Sequence, residues 1–315
     1  MSTYHKTVLL IPTVDAIAPK PGGIYVDCTA GGGDHSAEIL RRIGDTGRLI
    51  AIDRDPDAID YLTARFADDP RVTIIHDEYK NIRSILDAHG VGAVDGVIAD
   101  LGISGRHVDA PERGFSYHFD APLDMRMSQT GVSARDLVNE LDEKTLSRII
   151  FSYGEEKFAR SIARNIVSAR QKAPIETTFE LVEIIKRSMP ASRLRGSHPA
   201  KRTFQALRIA VNGELEDLGD SVDAMFDCLA LHGRLAIITF HSLEDKEVKH
   251  RFAAFCRGCI CDPSLPQCIC GRTPRGKPVF RSVVPDAAEI EENNRARSAR
   301  LRAVEKIHLT GFLNE

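Results

Sequence analysis

Residues 25–36 read Tyr-Val-Asp-Cys-Thr-Ala-Gly-Gly-Gly-Asp-His-Ser, a short apolar run that ends in an acid, turns through three glycines and opens a polar helix start. Glycines let a backbone approach a ligand closely, and an acid about 20 residues further on suits ribose hydroxyls. Asp53, in Ile-Asp-Arg-Asp55, stands where that acid is wanted. Dinucleotide enzymes and S-adenosylmethionine (SAM) methyltransferases share this pairing. Two details favour SAM: the glycines are contiguous rather than spaced as G-x-G-x-x-G, and Asp27 would be awkward beside a pyrophosphate but useful beside a cationic, phosphate-free cofactor. A tight turn without a ligand is the plain alternative.

Asp100, in Val-Ile-Ala-Asp-Leu-Gly-Ile-Ser104, ends another apolar run. An acceptor there could hydrogen-bond an exocyclic amine and help localise the lone pair that attacks a methyl group, which is positioning and electrostatic catalysis. A carboxylate capping the next turn is the equal alternative. His198, in Ser-His-Pro-Ala-Lys-Arg202, and His241, in Phe-His-Ser-Leu-Glu-Asp245, are the acid/base or substrate-contact candidates, although water can take the proton of a methylated amine. Ser242 lies in no G-x-S-x-G elbow, so a serine hydrolase is excluded. Five of the seven cysteines crowd into Cys256-x2-Cys259-x-Cys261-x6-Cys268-x-Cys270. Four thiolates among them, Cys259, Cys261, Cys268 and Cys270, suit a structural zinc ion, while Cys-x-Cys is tighter than the usual ligand spacing. The metal stays an open alternative with no role in methyl transfer, and the odd count argues against a disulfide framework.

Parallel strands must carry these residues at their carboxyl ends. Four strands are expected at Ile24–Cys28, Arg48–Asp53, Val72–His76 and Gly96–Asp100, alternating with helices at Ser36–Ile43, Pro56–Ala67 and Ile82–His89. The rhythm then breaks. A polar stretch from Gly102 to Met127 leads to helices at Ala134–Phe151, Glu155–Arg170 and Phe179–Ser188, with Ser133-x-x-Asp136 and Thr177-x-x-Glu180 as capping boxes. It resumes with helices at Thr203–Asp217 and Asp220–Leu231 and strands at Arg234–Phe240, Pro278–Val284 and Arg302–Leu309. The expectation is an α/β, doubly wound domain (1–104 and 201–315) interrupted by an all-helical, substrate-recognising insert (105–200).

A formal net charge of −3 excludes a uniformly basic, nonspecific polyanion binder, so any nucleic-acid contact must be local. Between Glu183 and Glu214 lie Lys186, Arg187, Arg193, Arg195, Lys201, Arg202 and Arg208 with no acid among them. Arg113 and Arg126 are candidate phosphate contacts. Phe115, Tyr117 and Phe119 are candidate stacking surfaces, with core packing as the alternative. Two further basic sets, around Arg275 and Arg300, stay undecided. No apolar run approaches the ~20 residues that span a bilayer, and Met1 to Leu10 lacks a signal-peptide core, which places the chain in the cytoplasm with no membrane partner.

Thr7-Val-Leu-Leu10, Asp-x-Thr-x-Gly-x-Gly33, Ala-Ile-Asp-Arg-Asp-Pro56, Asp-Leu-Gly-Ile-Ser104, Glu-Arg-Gly-Phe-Ser116, Pro-Leu-Asp-Met-Arg-Met127, Tyr-Gly-Glu-Glu156, His-Pro-Ala-Lys-Arg-Thr-Phe-Gln-Ala-Leu-Arg-Ile209 and Phe-His-Ser-Leu-Glu-Asp245 together resemble the MraW/RsmH family. These are bacterial SAM-dependent 16S ribosomal RNA cytosine-N4 methyltransferases. The resemblance, from about His5 to Ala303, implies a class I SAM-methyltransferase fold, Rossmann-like, with an inserted helical domain. It implies SAM contacts at Gly33, Asp34, His35, Asp53, Tyr79, Asp100 and His107. Asp34 stands where a third glycine is usual, Tyr79 where Phe is common and His107 where Gln is common; Tyr keeps an aromatic face for adenine, whereas His lacks Gln's amide pair. The implied partner is 16S rRNA, as naked RNA or within the 30S subunit, with monomer and homodimer both open. A DNA or protein methyltransferase is weakened because Leu101-Gly102 replaces a Pro-Pro-aromatic signature after Asp100. A noncatalytic RNA-binding protein is weakened by the presence of both Asp53 and Asp100.

Overall fold

The computed structural model describes residues 7–308, except 197, 260, 263–265 and 268. The chain forms two compact units: one runs from Lys6 to Gly102 and resumes at Glu216, and the other is Ile103–Leu215. The first unit begins with α1 (Leu10–Ile17), then alternates β1 (Ile24–Asp27), α2 (Asp34–Ile43), β2 (Arg48–Asp53), α3 (Pro56–Arg65), β3 (Val72–His76), α4 (Ile82–Ala88) and β4 (Val94–Asp100). The second unit holds α5 (Gly105–Asp109), α6 (Ala134–Glu140), α7 (Glu143–Gly154), α8 (Ala159–Arg170), α9 (Thr178–Arg187) and α10 (Lys201–Asn212). The first unit then closes with α11 (Leu218–Asp227), β5 (Leu229–Thr239), α12 (Ser242–Cys256), β6 (Gly276–Pro278), α13 (Ala287–Glu292) and β7 (Arg300–Lys306).

The strands form a 7-stranded sheet in the order β3-β2-β1-β4-β5-β7-β6. β1 to β5 are parallel; the near-continuous apolar runs of β1, β2 and β4 suit strands buried on both faces, while β3 lies half-buried at the edge. β7 runs antiparallel between β5 and β6. This is the class I SAM-methyltransferase fold that the resemblance implies. Among the described residues no helix is long and apolar enough to cross a membrane.

Side-chain chemistry at the boundaries explains where expectation and structure part. The single helix expected over Ala134–Phe151 is two. The Asp142 carboxylate accepts from the Thr145 amide at 3.0 Å and hydroxyl at 2.7 Å, starting α7 afresh. Glu155 closes α7 in the left-handed region (φ 50°), so α8 starts at Ala159 rather than at 155. The strand expected over Pro278–Val284 shrinks to the three residues of β6 and an isolated bridge from Val283 to Leu301. The last strand ends at Lys306, and Leu309 lies outside the described residues. Helices α1, α5, α12 and α13 carry no counterpart in the sequence reading. Both capping boxes form, with Asp136 reaching the Ser133 amide at 2.8 Å and Glu180 the Thr177 amide at 3.1 Å.

The helical unit has its own core, built on Leu146, Ile150, Ile162, Ala163, Ile166, Leu181, Ile185, Phe204 and Leu207. Phe204 and Leu207 belong to α10, so the second unit boundary falls at Leu215 rather than at residue 200.

Candidate active site

In the first unit, sheet topology gathers the site. Strand order reverses between β1 and β4, and ligands of open α/β sheets bind outside the carboxyl ends at such a switch point. The β1 end carries Asp27, the β2 end Asp53, the β4 end Asp100, and the β3 exit Tyr79 in a short 3-10 turn, Tyr79–Asn81. The Thr29 hydroxyl ties two of these tips together by accepting from the Asp100 amide at 2.6 Å.

The glycine turn is held from several sides. Gly33 has φ 78°, and a Cβ there would lie 2.8 Å from Leu62 and 2.9 Å from Phe66, so only glycine lets α2 start this close to α3. Asp53 pins the turn: one carboxylate oxygen accepts from the Gly31 amide at 2.8 Å, the other from the Asp55 amide at 2.9 Å. Asp34 is engaged on both oxygens, because its carboxylate is bound by the Arg65 guanidinium at 2.7 Å and the Thr7 hydroxyl at 2.7 Å. Arg65 also donates to the Gly32 carbonyl. Arg65 is a residue sequence reasoning missed; its only signal was a cation one helix beyond an acid-bearing glycine turn. His35 is buried, and burial lowers its pKa to about 4, so the ring is neutral.

The electrostatics of this edge are acidic. Asp27 is fully enclosed; its carboxylate accepts from the Ser36 hydroxyl at 2.7 Å and, weakly, from the Thr29 amide. Burial raises its pKa to about 7, with the charge of Asp53 adding to the effect. Asp100 is raised well above the usual carboxylate range by burial first, then by the charges of Asp27 and Glu244. Among the described residues, the buried Asp100 Oδ1 atom finds no hydrogen-bond partner. A buried acceptor left unpaired is costly and marks a place where a donor is wanted. A cluster of buried carboxylates at a switch point suits a ligand that brings positive charge and hydrogen-bond donors.

Glu244 was not singled out from the sequence, yet it organises the β5 exit. Its carboxylate accepts from the Phe240 amide at 2.9 Å and the His241 amide at 3.3 Å. His241 is the N-cap of α12: its Nδ1 accepts from the Glu244 amide, and its buried Nε2 lies 3.0 Å from the Glu244 carboxylate without a hydrogen bond among the described residues.

The helical unit holds the remaining candidates, and several of them turn inward. Arg113 is buried, and its guanidinium donates to the carbonyls of Arg126 and Met127 at 3.0 and 2.9 Å, which corrects its reading as a phosphate contact. Arg126 is corrected likewise: it makes a two-pronged pair with Asp124 (3.0 and 2.6 Å) and donates to the Gly131 carbonyl. Arg208 pairs with Glu214 through two 2.8 Å bonds. His107 is buried in α5, its Nδ1 accepting from the Ser104 amide at 3.1 Å, so its acceptor serves the helix start. Phe115 is core, whereas Phe119 is exposed.

Other candidates stay outward. Lys201 and Arg202 are exposed at the start of α10, as are Arg187, Arg193 and Arg195. Arg202 makes one backbone contact, to the Glu155 carbonyl at 2.9 Å. His198 stacks on Tyr117 with ring centroids 4.4 Å apart and planes inclined by 11°, and Phe204 supports Tyr117 edge-on. Burial lowers the His198 pKa, and neighbouring His118 and Lys186 lower it further. A half-buried aromatic pair beside exposed cations is a surface on which an unstacked base and its phosphates can rest.

The profile of the MraW methylase family matches residues 2–307. The chain belongs to that family. Ribosomal RNA small subunit methyltransferase H of Symbiobacterium thermophilum is 50% identical over 311 residues, 98% of each chain. The protein of the same name from Lachnospira eligens is 50% identical over 311 residues, 98% of this chain and 99% of its own. Membership makes the chain a SAM-dependent methyltransferase, and the acidic, donor-seeking edge of the first unit fits a cofactor that carries a sulfonium and an ammonium. Among the described cysteines, Cys259, Cys261 and Cys270 converge, while Cys268 lies outside the described residues.

Proposed function

We propose that this protein transfers a methyl group from SAM to the N4 amine of a cytidine in 16S rRNA of the small ribosomal subunit. The observation that carries this reading is Asp100: a carboxylate at the switch point, beside the glycine turn, with a buried oxygen that wants a donor. An exocyclic amine is such a donor. The names borne by the 50% identical relatives support ribosomal RNA as the substrate.

When bound, SAM supplies an electrophilic methyl group and a thioether leaving group. Gly33 and its neighbours Asp34 and His35 would hold it at the glycine turn. Asp53, at the end of β2 and bonded to the Gly31 and Asp55 amides of the turn, would accept from the ribose hydroxyls. Tyr79 offers its ring to adenine, and the buried acids Asp27 and Asp100 face the positive charge. Asp100 would accept from the target amine and hold it with its lone pair free to attack. The amine's proton leaves to water after transfer, which asks for no histidine base. Tyr117 with His198 receives an unstacked base, and Lys201 and Arg202 bind phosphates.

Methyl-labelled SAM, incubated with 30S subunits or naked 16S rRNA from cells lacking such an enzyme, tests the whole reading. Mass spectrometry of the digested nucleosides should show new N4-methylcytidine. SAM binding with no methylated RNA would move the substrate elsewhere.

Two further outcomes are expected. Lys201→Glu with Arg202→Glu should weaken RNA binding and lower the slope of log affinity against log salt by about one for each phosphate no longer bound, with SAM affinity unchanged. An equal fall in both affinities would mean misfolding. Because the Asp27 carboxyl sits near pH 7 when folded, it is protonated at pH 5 and must ionise to face a cation. SAM affinity should therefore rise between pH 5 and pH 7, by up to about tenfold per unit, with protons released on binding. Calorimetry in buffers of different ionisation enthalpy measures that release, and pH-independent affinity without proton release would remove Asp27 from the site.

A further inference from the structure

The chain between α12 and β6 is anchored at both ends. Phe255, at the end of α12, stacks on Phe226 of α11 at 4.0 Å. Arg275, just before β6, lies over both rings, and its amide donates to the Phe255 carbonyl at 2.9 Å. Between these anchors the described residues form no apolar core: Cys259 is exposed and Ile269 is 80% exposed. A loop of this kind is ordered only by something other than hydrophobic burial.

Three thiols supply that something. The Sγ atoms of Cys259, Cys261 and Cys270 lie within 4.8 Å of one another, and Cys259 and Cys270 are 3.7 Å apart. Tetrahedral zinc with Zn–S of about 2.3 Å holds its sulfurs about 3.8 Å from each other. Backbone N–H groups already point at two of the sulfurs: Cys261 donates to Cys259 Sγ and Ile269 to Cys261 Sγ, each at 3.4 Å. Such bonds favour the thiolate, the form that binds metal. They also answer the objection of tight spacing, because Cys-x-Cys folds back here so that the amide of the second cysteine meets the sulfur of the first.

We propose that Cys259, Cys261 and Cys270 bind a zinc ion that orders this loop, each thiol releasing its proton to solvent on binding. The site is structural and separate in sequence from every residue assigned to methyl transfer. Elemental analysis of the full-length protein, purified anaerobically without chelator, should find about one zinc per chain. Cobalt substitution should produce thiolate-to-metal charge-transfer absorption. A mercurial reagent should release the zinc to a chromophoric chelator, and the loop should become open to protease on release. Cys259→Ser and Cys270→Ser should each lose at least nine-tenths of the metal while still melting cooperatively, and Cys228→Ala should retain it. The proposal is overturned by a reduced wild-type protein that takes up no zinc on titration, by a Cys259–Cys270 disulfide in the anaerobic protein, or by full zinc content in both serine variants. The wild-type measurements decide even where a variant fails to fold.

Discussion

Alanine at position 100 is expected to cut turnover about 100- to 1,000-fold while leaving the fold at least as stable as before. The two halves of that expectation come from one observation. The Asp100 Oδ1 atom is buried without a partner among the described residues, and the charges that act on the group are those of Asp27 and Glu244. A carboxylate in that setting lowers the stability of the folded chain, so its removal relieves repulsion and leaves no donor orphaned at that oxygen. The same atom is the acceptor that orients the incoming amine, so chemistry suffers. Asparagine keeps an acceptor of similar shape without the charge and should fall between wild type and alanine. Single-turnover assays with saturating SAM, run beside thermal melts, check both halves. Full activity in Asp100→Ala would sink the proposed role, and a large fall in melting temperature would recast Asp100 as a structural residue.

The second large effect is on stability, at Gly114. Its φ is +69°, and a Cβ there would lie 2.2 Å from the Pro122 carbonyl oxygen and 2.7 Å from the Asp124 amide nitrogen, both backbone atoms that cannot swing aside. Gly114→Ala combines a left-handed backbone with an overlap and should cost about 3 to 5 kcal/mol, enough to unfold a marginal unit. Gly131→Ala is the control: its φ is +83°, yet a Cβ there meets nothing within 4 Å, so it should cost about 1 kcal/mol. Hydrogen exchange should show lowered protection concentrated in residues 103–215 for Gly114→Ala and near-native protection for Gly131→Ala.

The neighbours of Gly114 also show where sequence reading succeeds and where it stops. Asp27, Asp53 and Asp100 were legible because a parallel strand announces itself as an apolar run, and its last residue must face the carboxyl edge. Arg113 and Arg126 were misread because an arginine's sequence context does not say whether carbonyls or solvent will receive its guanidinium; here the loop around Met125 and Met127 consumes both. The chain there is held further by Asn212, which donates to the Met125 carbonyl and accepts from the Met127 amide, each at 2.8 Å. Helix α12 escaped because its run of charges hides a sparse apolar face of Val248, Phe252 and Phe255. The capping role of His241 had no sequence signal, because an imidazole that caps a helix leaves no pattern different from one that contacts substrate. Tyr117 and His198 meet across a gap in sequence that no local period reveals.

The interruption of the sheet has a consequence for synthesis. β4 pairs with β5 over Gly96 to Asp100, yet the whole helical unit is made between them. A growing chain therefore completes β1 to β4 and must wait, with one edge of β4 unpaired and lined by Val97 and Ile98, until the ribosome delivers β5. Exposed apolar edges recruit other strands. If the inserted helices, which have a core of their own, fold before β5 is made, a compact unit replaces a long floppy tether and shortens the loop that β5 must close. Residues buried inside the insert thus set how long nascent chains stay vulnerable, and lesions there should appear in cells first as insoluble protein rather than as slow enzyme.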